Sequence, residues 1–378
     1  MEKVSNALYR DCNAWYHIYV AIDRSLATAG DRTKVYVNGE RVTSWAASTD
    51  YSQQTSGVHS GAISMNNDYN AYIGGREDST DYFDGIISHL YWVDGSVIDI
   101  AQFGSTDATT GEWKINTNPT IASYGENGHS HFKDVASIND ASSEGNNFTL
   151  ANGTLTKTED CPSNVFATLN ALHRIDSYTL TEGNNTFTNS SGGHRAVEST
   201  LAANTGKWYA EVKVTAQDGS ATYPQIGIID VFKFSFQSYI GNSDRGYAYL
   251  SNGNKQYNDS ATSFGNTYTV GDIIGIAMDL DNSKLYFSKN GTWENSGVPT
   301  SGSTGTGAAY TIASDAFYSF TQSSYDGSQN PVYKWNFGNG YFGTTEESSA
   351  GTNASNNGIF EYDVPTGYTA LSTKGLNL

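Results

Sequence analysis

Two short patterns in this 378-residue sequence hold residue types that could bind a metal ion or transfer a proton. His129 and His131 flank one serine, and residues two apart on a β-strand point to the same side, so the pair could form half of a metal site. Asp279 and Asp281 have the same spacing at the end of a predicted strand. The simpler interpretations are a polar turn around the histidines and solvent-facing carboxylates for the aspartates, and we expect those.

Two further features argue against common kinds of chemistry. Cys12 and Cys161 are the only cysteines, and neither has a second cysteine or histidine at ligand spacing, so we expect buried or inert thiols rather than a zinc site. The glycine-rich run Ser301–Gly307 lacks the lysine that a phosphate-binding loop requires. Neither feature predicts a catalytic centre.

An aromatic stretch at Asp230–Asp244 is a better candidate for binding than any of these residues is for catalysis. It contains Phe232, Phe234, Phe236 and Tyr239 between two predicted strands. Exposed aromatic side chains at this density mark contact patches, so these four are the predicted partner-binding or ligand-binding residues. The same residues could instead form an edge strand inside the fold. Tyrosine, asparagine and aspartate in loops also suit sugar recognition, which adds a glycan to the expected ligands.

The elements that position these residues are predicted hairpins. In Gly271–Trp293 two apolar runs flank a polar turn, and their alternation lets one face be buried while the other stays wet. An Asn-Gly turn follows. His17–Gly39 repeats the same order of apolar run, turn, second run and Asn-Gly. This degenerate repeat predicts two related β-rich domains.

Composition places the chain in the all-β class. The sequence has 39 glycines, 26 tyrosines and only 6 prolines, which is typical of short strands joined by tight turns. We predict two antiparallel β-sandwich (jelly-roll-like) domains joined by an ordered, irregular connector. The formal net charge of −18 disfavours nucleic acid and anionic lipid as partners. No apolar run is long enough for a membrane span, and the first residues lack the features of a signal peptide.

Four motifs lie in order within residues 1–104, at Trp15–Asp23 (W-Y-H-I-x-V-A-I-D), Lys34–Glu40, Tyr72–Gly74 and Phe83–Tyr91. They resemble the second half of a concanavalin A-like, laminin G-like sandwich. The resemblance implies that the first strands of this sandwich come from another chain, because exposed strand edges must be covered. We therefore expect a homo-oligomer or contact with a neighbouring protein. A shortened sandwich and a fragment of a longer chain are the alternatives.

The same resemblance implies two kinds of site. Laminin G-like domains often hold Ca²⁺ through loop carboxylates, and such oxygens are available on Asp23, Asp31, Asp68, Asp78 and Asp81. Calcium is the one cofactor that the resemblance suggests. Related sandwiches also include glycoside hydrolases that place two carboxylates across a groove. The glutamates here are isolated rather than aligned on one strand face, so we expect no enzyme activity.

The rest of the chain carries two further resemblances. Within residues 105–170 and just before them, the motifs F-G-x-T-D-x-x-T-G-x-W-x-I and D-x-P-x-N-x-F-A-T-L-N look like the connector between a laminin G-like and a SPRY-type module in structural proteins of tailed bacteriophages. Within residues 171–378, Gly206–Val212, Gly271–Trp293 and Asn336–Gly338 resemble a SPRY domain, a bent two-sheet sandwich. The last residues resemble the closing segment of the same phage proteins.

These resemblances imply a non-enzymatic virion structural protein on the phage exterior, in a fibre, an appendage or a capsid decoration. Its expected roles are assembly with itself or with neighbouring virion proteins and contact with the host surface. Such a chain would be made in the host cytoplasm without a signal peptide and would end on the virion surface. The alternative is a carbohydrate-binding adhesin or lectin, and a glycan-cleaving enzyme is the third hypothesis.

Overall fold

The structure is a computed structural model, and it divides the chain into two compact units, Met1–Lys157 and Thr158–Leu378. It describes residues 2–9, 14–51, 53, 71–75, 83, 85–133, 137–151, 155, 157–173, 178–190, 193–217, 224–235, 237–325 and 330–377. Cys161 is a free thiol, and Cys12 lies outside the described residues. Within the described ranges, no helix has both the length and the apolar character needed to cross a bilayer.

In its described residues, the first unit contains short strands and two single-turn 3₁₀ helices. The strands are β1 (Glu2–Ser5), β2 (Ile18–Ile22), β3 (Thr33–Val37), β4 (Glu40–Arg41), β5 (Trp45–Thr49), β6 (Leu90–Trp92), β7 (Gly104–Thr106), β8 (Trp113–Ile115) and β9 (His129–His131). The 3₁₀ helices are Ala29–Asp31 and Ile100–Gln102. The strands form four small antiparallel sheets, β1-β5, β2-β3-β4, β6-β9 and β7-β8.

The first predicted hairpin is present in this unit. Strands β2 and β3 pair antiparallel, with Ile18 opposite Val37 and Ile22 opposite Thr33. The next turn has only two residues, Asn38 and Gly39, whose φ angles are 49° and 79°. Two consecutive positive φ values are the type I′ geometry that matches the twist of paired strands, and Asn-Gly is the dipeptide that adopts it most readily. The predicted turn is confirmed.

The second unit contains the longer strands. They are β10 (Tyr178–Thr181), β11 (Thr186–Asn189), β12 (His194–Glu198), β13 (Lys207–Ala216), β14 (Gln225–Asp230), β15 (Gly246–Leu250), β16 (Asn254–Tyr257), β17 (Ser260–Ser263), β18 (Ile273–Asp279), β19 (Lys284–Lys289), β20 (Thr292–Trp293), β21 (Tyr310–Thr311), β22 (Tyr318–Tyr325), β23 (Val332–Asn336), β24 (Tyr341–Phe342), β25 (Thr345–Glu346) and β26 (Thr369–Ala370). The 3₁₀ helices are Val231–Lys233, Ile240–Asn242, Glu294–Ser296, Pro299–Thr304 and Gly375–Asn377.

Two large sheets make this unit a sandwich. One has nine strands, with β10-β11-β23-β13-β18-β19-β20 in order and β21 and β26 at its sides; the other has six, in the order β12-β22-β14-β15-β16-β17. Side chains from both sheets form one continuous core. Phe320 of the six-stranded sheet meets Trp335 of the other with ring centroids 6.4 Å apart, and Tyr249 meets Phe287 at 5.4 Å. The predicted all-β fold class is confirmed.

The hairpin of Gly271–Trp293 forms the β18-β19-β20 end of the nine-stranded sheet, next to β13. Strand β18 pairs with β19 from Ile274 opposite Lys289 to Asp279 opposite Lys284. The Asn290-Gly291 dipeptide again has two positive φ values, 48° and 77°, and turns the chain into β20. The predicted hairpin and its Asn-Gly turn are confirmed, but the prediction that one face stays wet is wrong, because every residue of β18 is buried. The C-terminal segment covers the second face, where Phe360 packs against Tyr209, the residue of β13 opposite Ala277.

The position of Asp279 differs from the prediction. The sequence suggested a solvent-facing carboxylate, but Asp279 is completely buried. Its oxygens accept hydrogen bonds from the backbone and side-chain amides of Asn282, and Lys207 Nζ lies 3.1 Å from Oδ2. Strand β13 lies beside this strand end and brings Lys207 opposite Asp279, so the burial comes from a neighbour distant in sequence. Asp281 accepts the backbone N–H of Gly206 at 2.7 Å.

The C-terminal segment returns to the same sheet. Strand β26 pairs parallel to β13, with Trp208 opposite Thr369. Phe360, Tyr368 and Leu371 are buried in the shared core. The segment therefore covers apolar surface of the nine-stranded sheet.

Candidate functional site

The outer face of the six-stranded sheet is the starting point of the candidate site. In β12 and β22, Val197 and Phe320 point into the core of the sandwich. Side chains alternate along a strand, so Ala196 and Thr321 point to the opposite, outer face. Ser319 also lies on that outer face, two residues before Thr321 on the same strand.

Residues 231–235 and 237–243, the covering segment, lie across this outer face. The segment leaves β14 through the 3₁₀ helix Val231–Lys233, where the Asp230 side chain accepts the backbone N–H of Phe232. It is held to the sheet by the backbone N–H of Gly241, which donates to Gln225 Oε1 at 2.8 Å. The buried side chain of Ile240 packs against Ala248 and Leu250. The hydrogen bond to the buried Gln225 and the apolar contact of Ile240 thus hold the segment on the sheet.

A cleft of about 210 Å³ lies between the covering segment and the sheet. Its described lining residues are Ala196, Ile229, Lys233, Phe234, Ser235, Ser238, Tyr239, Ile240, Asn242, Ser243 and Thr321. The base carries small and apolar side chains from the sheet, and the rim carries hydroxyl, amide and aromatic groups from the segment. The arrangement is a small binding cleft with mixed polarity.

Two of the four predicted aromatic residues line this cleft, and each contacts a histidine. The ring centroid of Phe234 is 5.4 Å from that of His173, and Tyr239 is 5.0 Å from His194. The Tyr239 hydroxyl also donates a hydrogen bond to Asp259. These contacts restrict the orientation of both rings. Because both residues line the cleft, the structure brings Phe234 and Tyr239 together at one site.

The other two predicted aromatic residues do not join them in the described structure. Phe232 is 79% exposed and is not among the residues that line the cleft. It packs edge-on against Phe317, with ring centroids 6.4 Å apart. Phe236 lies outside the described residues.

A buried acid–histidine pair next to the cleft had no signal in the sequence. Glu198 at the end of β12 is buried, and His173 Nδ1 lies 2.5 Å from its Oε1. Burial raises the pKa of Glu198, and the hydrogen bond with His173 opposes that shift. Ser319 Oγ lies 3.4 Å from the other carboxylate oxygen, so the serine contacts the acid and not the imidazole. That order differs from a catalytic triad, in which the histidine accepts the proton of the serine.

The predicted metal ligands were also located. The expected polar turn around His129 and His131 is wrong, because the two residues lie on strand β9, where they pair with β6 and His131 is buried. Their ring centroids are 5.0 Å apart, and burial lowers the pKa of His129 to about 4. Asp23 accepts hydrogen bonds from Ser25, and Asp31 is ion-paired with Arg41. In the described part of the chain, no three histidine, cysteine or acidic residues come together as a metal site. The remaining calcium candidates, Asp68, Asp78 and Asp81, lie outside the described residues.

The comparison with protein families decides the nature of the second unit. The family model for the SPRY domain matches residues 207–315. The chain contains a SPRY domain. The match includes the Gly271–Trp293 hairpin and the covering segment, while Ala196 and Thr321 of the cleft lie outside the matched range.

Two known proteins are similar to parts of this chain. The E3 ubiquitin-protein ligase RKP of Arabidopsis thaliana is 30% identical over 87 residues, which is 23% of this chain. The chain spans only 6% of the length of that relative. The crystal structure of the SPRY domain of human HERC1 is 16% identical, with a TM-score of 0.33, and the match covers 40% of this chain and 87% of that one. SPRY domains are typically protein-interaction modules.

Proposed function

We propose that this chain is a non-enzymatic structural protein on the exterior of a tailed-phage particle, and that its SPRY sandwich makes contact with the host surface. The observation that carries the binding role is the cleft under the covering segment, which Phe234 and Tyr239 line. A rigid sheet supports this site, and rigid support is what a recognition surface requires.

The virion role is supported by the order of motifs in the chain. The connector-like motifs between residues 103 and 170 lie directly before the SPRY domain, in the order of the phage structural proteins that they resemble. In this proposal the chain is made in the host cytoplasm and becomes part of the virion surface. The laminin G-like assignment of residues 1–104 belongs to the same proposal.

An assembly role is supported by strand β2 in the first unit. Ile18 is 66% exposed and Val20 is 50% exposed, and both lie on one face of a strand that pairs only with β3 in the described structure. An edge strand with exposed β-branched residues is a surface that another chain can cover. We propose that residues 1–104 contact a second copy or a neighbouring virion protein.

Electron microscopy tests the virion role. Particles of the phage that encodes this chain are labelled with gold-conjugated antibodies against the SPRY domain and imaged in negative stain. We expect gold on the outer surface at regular positions. Purified virions that contain the chain at no detectable level, by labelling and by mass spectrometry, would disprove the virion role.

Light scattering tests the assembly role. We expect the purified chain to associate in a concentration-dependent manner, and Val20→Lys to shift it towards the monomer, because a charge on this face opposes burial. Val270→Lys is the matched control, since Val270 is equally exposed on the SPRY unit. A folded monomer at every concentration would contradict this part of the proposal.

A free carbohydrate-binding adhesin or lectin is the second candidate. The hydroxyl-rich rim of the cleft is the observation that favours it. Sugar binding by a chain that is absent from virions would support this candidate over the first.

A further inference from the structure

We infer that the cleft between the covering segment and the six-stranded sheet binds a single uncharged sugar ring of a glycan. This inference rests on the binding role proposed above for the same cleft, and it adds the chemical class of the ligand. Four properties of the cleft, its size, its hydroxyl groups, its aromatic rings and its charge, lead to this class.

The size of the cleft limits what it can hold. Its volume is about 210 Å³. Pockets that enclose a whole small-molecule ligand usually have volumes of about 300–1,000 Å³. The cleft therefore suits one unit of a longer ligand, such as one ring of a glycan or one side chain of a peptide.

The polar groups of the cleft match the hydroxyls of a sugar. Five uncharged polar side chains line it, namely Ser235, Ser238, Asn242, Ser243 and Thr321. Three hydrogens of these side chains are used within the protein: Ser238 Oγ donates to Asn242 Oδ1, Asn242 Nδ2 donates to Asp259, and Thr321 Oγ1 donates to the backbone oxygen of Ser319. The hydroxyls of Ser235 and Ser243 and the second amide hydrogen of Asn242 can donate to a ligand, and the hydroxyl oxygens can accept from it. Neighbouring hydroxyls on a sugar ring need this dual capacity. A pocket for an apolar peptide anchor would instead have mostly apolar walls.

The aromatic rings supply a surface for the C–H groups of a sugar. Phe234 and Tyr239 both line the cleft. His173 contacts the first ring and His194 the second, and the Tyr239 hydroxyl is tied to Asp259. Rings that are already fixed lose little entropy when a ligand packs against them. The apolar face of a pyranose ring is a suitable partner for such a ring.

The charge of the cleft favours an uncharged sugar over an acidic one. Lys233 is the only charged side chain among the described lining residues, and its Nζ lies 3.5 Å from Asp244. This ion pair offsets the positive charge at the cleft. The chain as a whole has a formal net charge of −18, which repels anions at long range.

Saturation-transfer NMR on the full chain tests the inference. The probes are six free monosaccharides: glucose, galactose, mannose, N-acetylglucosamine, N-acetylgalactosamine and glucuronate. We expect transfer to at least one of the five uncharged sugars, and less to glucuronate. Tyr239→Ala is expected to weaken the strongest of these interactions at least tenfold. Ser238→Ala, a smaller change in the same cleft, is expected to weaken it at least threefold.

Val298→Ala is the control. Val298 is an exposed apolar residue of the same unit and is not among the described residues that line the cleft, so its truncation should leave sugar binding unchanged. Thermal melting of all three variants verifies that they fold. If Tyr239→Ala does not fold, the response of Ser238→Ala decides.

Three outcomes would overturn the inference. These are the absence of transfer to all five uncharged sugars, transfer that the two cleft variants leave unchanged, and binding of an arrayed peptide that Tyr239→Ala abolishes while no sugar responds. The last outcome would mean that the cleft holds a peptide side chain. A chain found on virions without sugar binding would leave the structural role standing, so the two proposals fail separately.

Discussion

Glu211 Oε2 accepts the backbone N–H of Glu361 at 2.8 Å, which joins a strand of the nine-stranded sheet to the C-terminal segment. The other carboxylate oxygen accepts the N–H of Tyr362 and the hydroxyl of Tyr209, both at 2.9 Å. Glu211 is completely buried, and burial raises its pKa to about 7. One side chain thus satisfies two backbone donors of the segment that completes the SPRY sandwich.

Stability of this unit should depend on the protonation of Glu211. The pKa of Glu211 is higher in the folded protein, about 7, than its ordinary value of 4.5, so the folded state binds the proton more tightly. The contribution of Glu211 to the free energy of unfolding is therefore complete below pH 4.5 and is lost as pH rises through 7. At 1.36 kcal/mol per pKa unit the loss is about 3 kcal/mol.

Urea denaturation between pH 4.5 and 8 measures this effect. We expect the free energy of unfolding of the wild type to fall with rising pH relative to that of Glu211→Gln, which cannot ionise. Glu346→Gln, at an exposed position, is the control and should follow the wild type. Parallel curves for the wild type and Glu211→Gln would refute the prediction.

Replacing only one residue of the ion pair between Lys207 and Asp279 should lower the free energy of unfolding. Lys207→Met leaves the Asp279 carboxylate buried without its cation, and because the lysine is partly exposed we expect a loss of up to about 3 kcal/mol. Adding Asp279→Asn should recover part of this loss, since the amide keeps a hydrogen-bond acceptor for Asn282 and carries no charge.

Chemical denaturation of the single and double variants gives the coupling between the two residues. Lys374→Met, which removes an exposed lysine, should change the free energy of unfolding by less than about 0.5 kcal/mol. A double variant that is less stable than Lys207→Met would show that the pair is not the cause.

Low pH should reduce the local stability of the first unit around His129. Burial and the neighbouring His131 lower the pKa of His129 to about 4 from its ordinary value of 6.5, while Asp140 acts in the opposite direction. The unfolded chain therefore binds the proton more tightly, and the stability that depends on the neutral ring is full above pH 6.5 and is lost as pH falls through 4. The ring lies between Trp92 and Phe148, so charging it disturbs that packing.

Hydrogen exchange of peptides that cover β6 and β9 measures this loosening. We expect protection, corrected for the intrinsic rate, to fall between pH 6.5 and 4 in the wild type and to change less in His129→Phe. Peptides from β18 serve as the internal control, because they belong to the other unit. Equal loss of protection in the wild type and His129→Phe would argue against the prediction.

Gly227 should not tolerate a side chain. It lies in the middle of β14, and a Cβ atom placed there would be 1.9 Å from the backbone oxygen of Tyr247 in the neighbouring strand. Gly227→Ala must push β14 and β15 apart, which should lower the free energy of unfolding by about 1–3 kcal/mol. Thermal melting should show a clearly lower Tm. Gly30→Ala, where no atom lies within 4 Å of the new Cβ, should keep the wild-type Tm, and similar Tm values for both variants would contradict this reading.

Local sequence was enough to determine the hairpins. Asparagine and glycine adopt positive φ at little cost, so Asn38-Gly39 and Asn290-Gly291 specify two-residue turns wherever the chain places them. The apolar runs of β18 and β19 specify the two strands in the same way, but not that both of their faces are buried. The SPRY resemblance of residues 171–378 is consistent with the family match over residues 207–315.

Only the tertiary structure decided which polar residues are buried and where the cleft lies. Asp279 is part of a buried ion pair because β13 places Lys207 opposite it. Glu211 accepts backbone N–H groups of the C-terminal segment because that segment returns to β13. Of the aromatic stretch, Phe234 and Tyr239 line the cleft while Phe232 does not. Periodicity reports which face of a strand is apolar, but burial and pKa depend on neighbours that lie tens of residues away in the sequence.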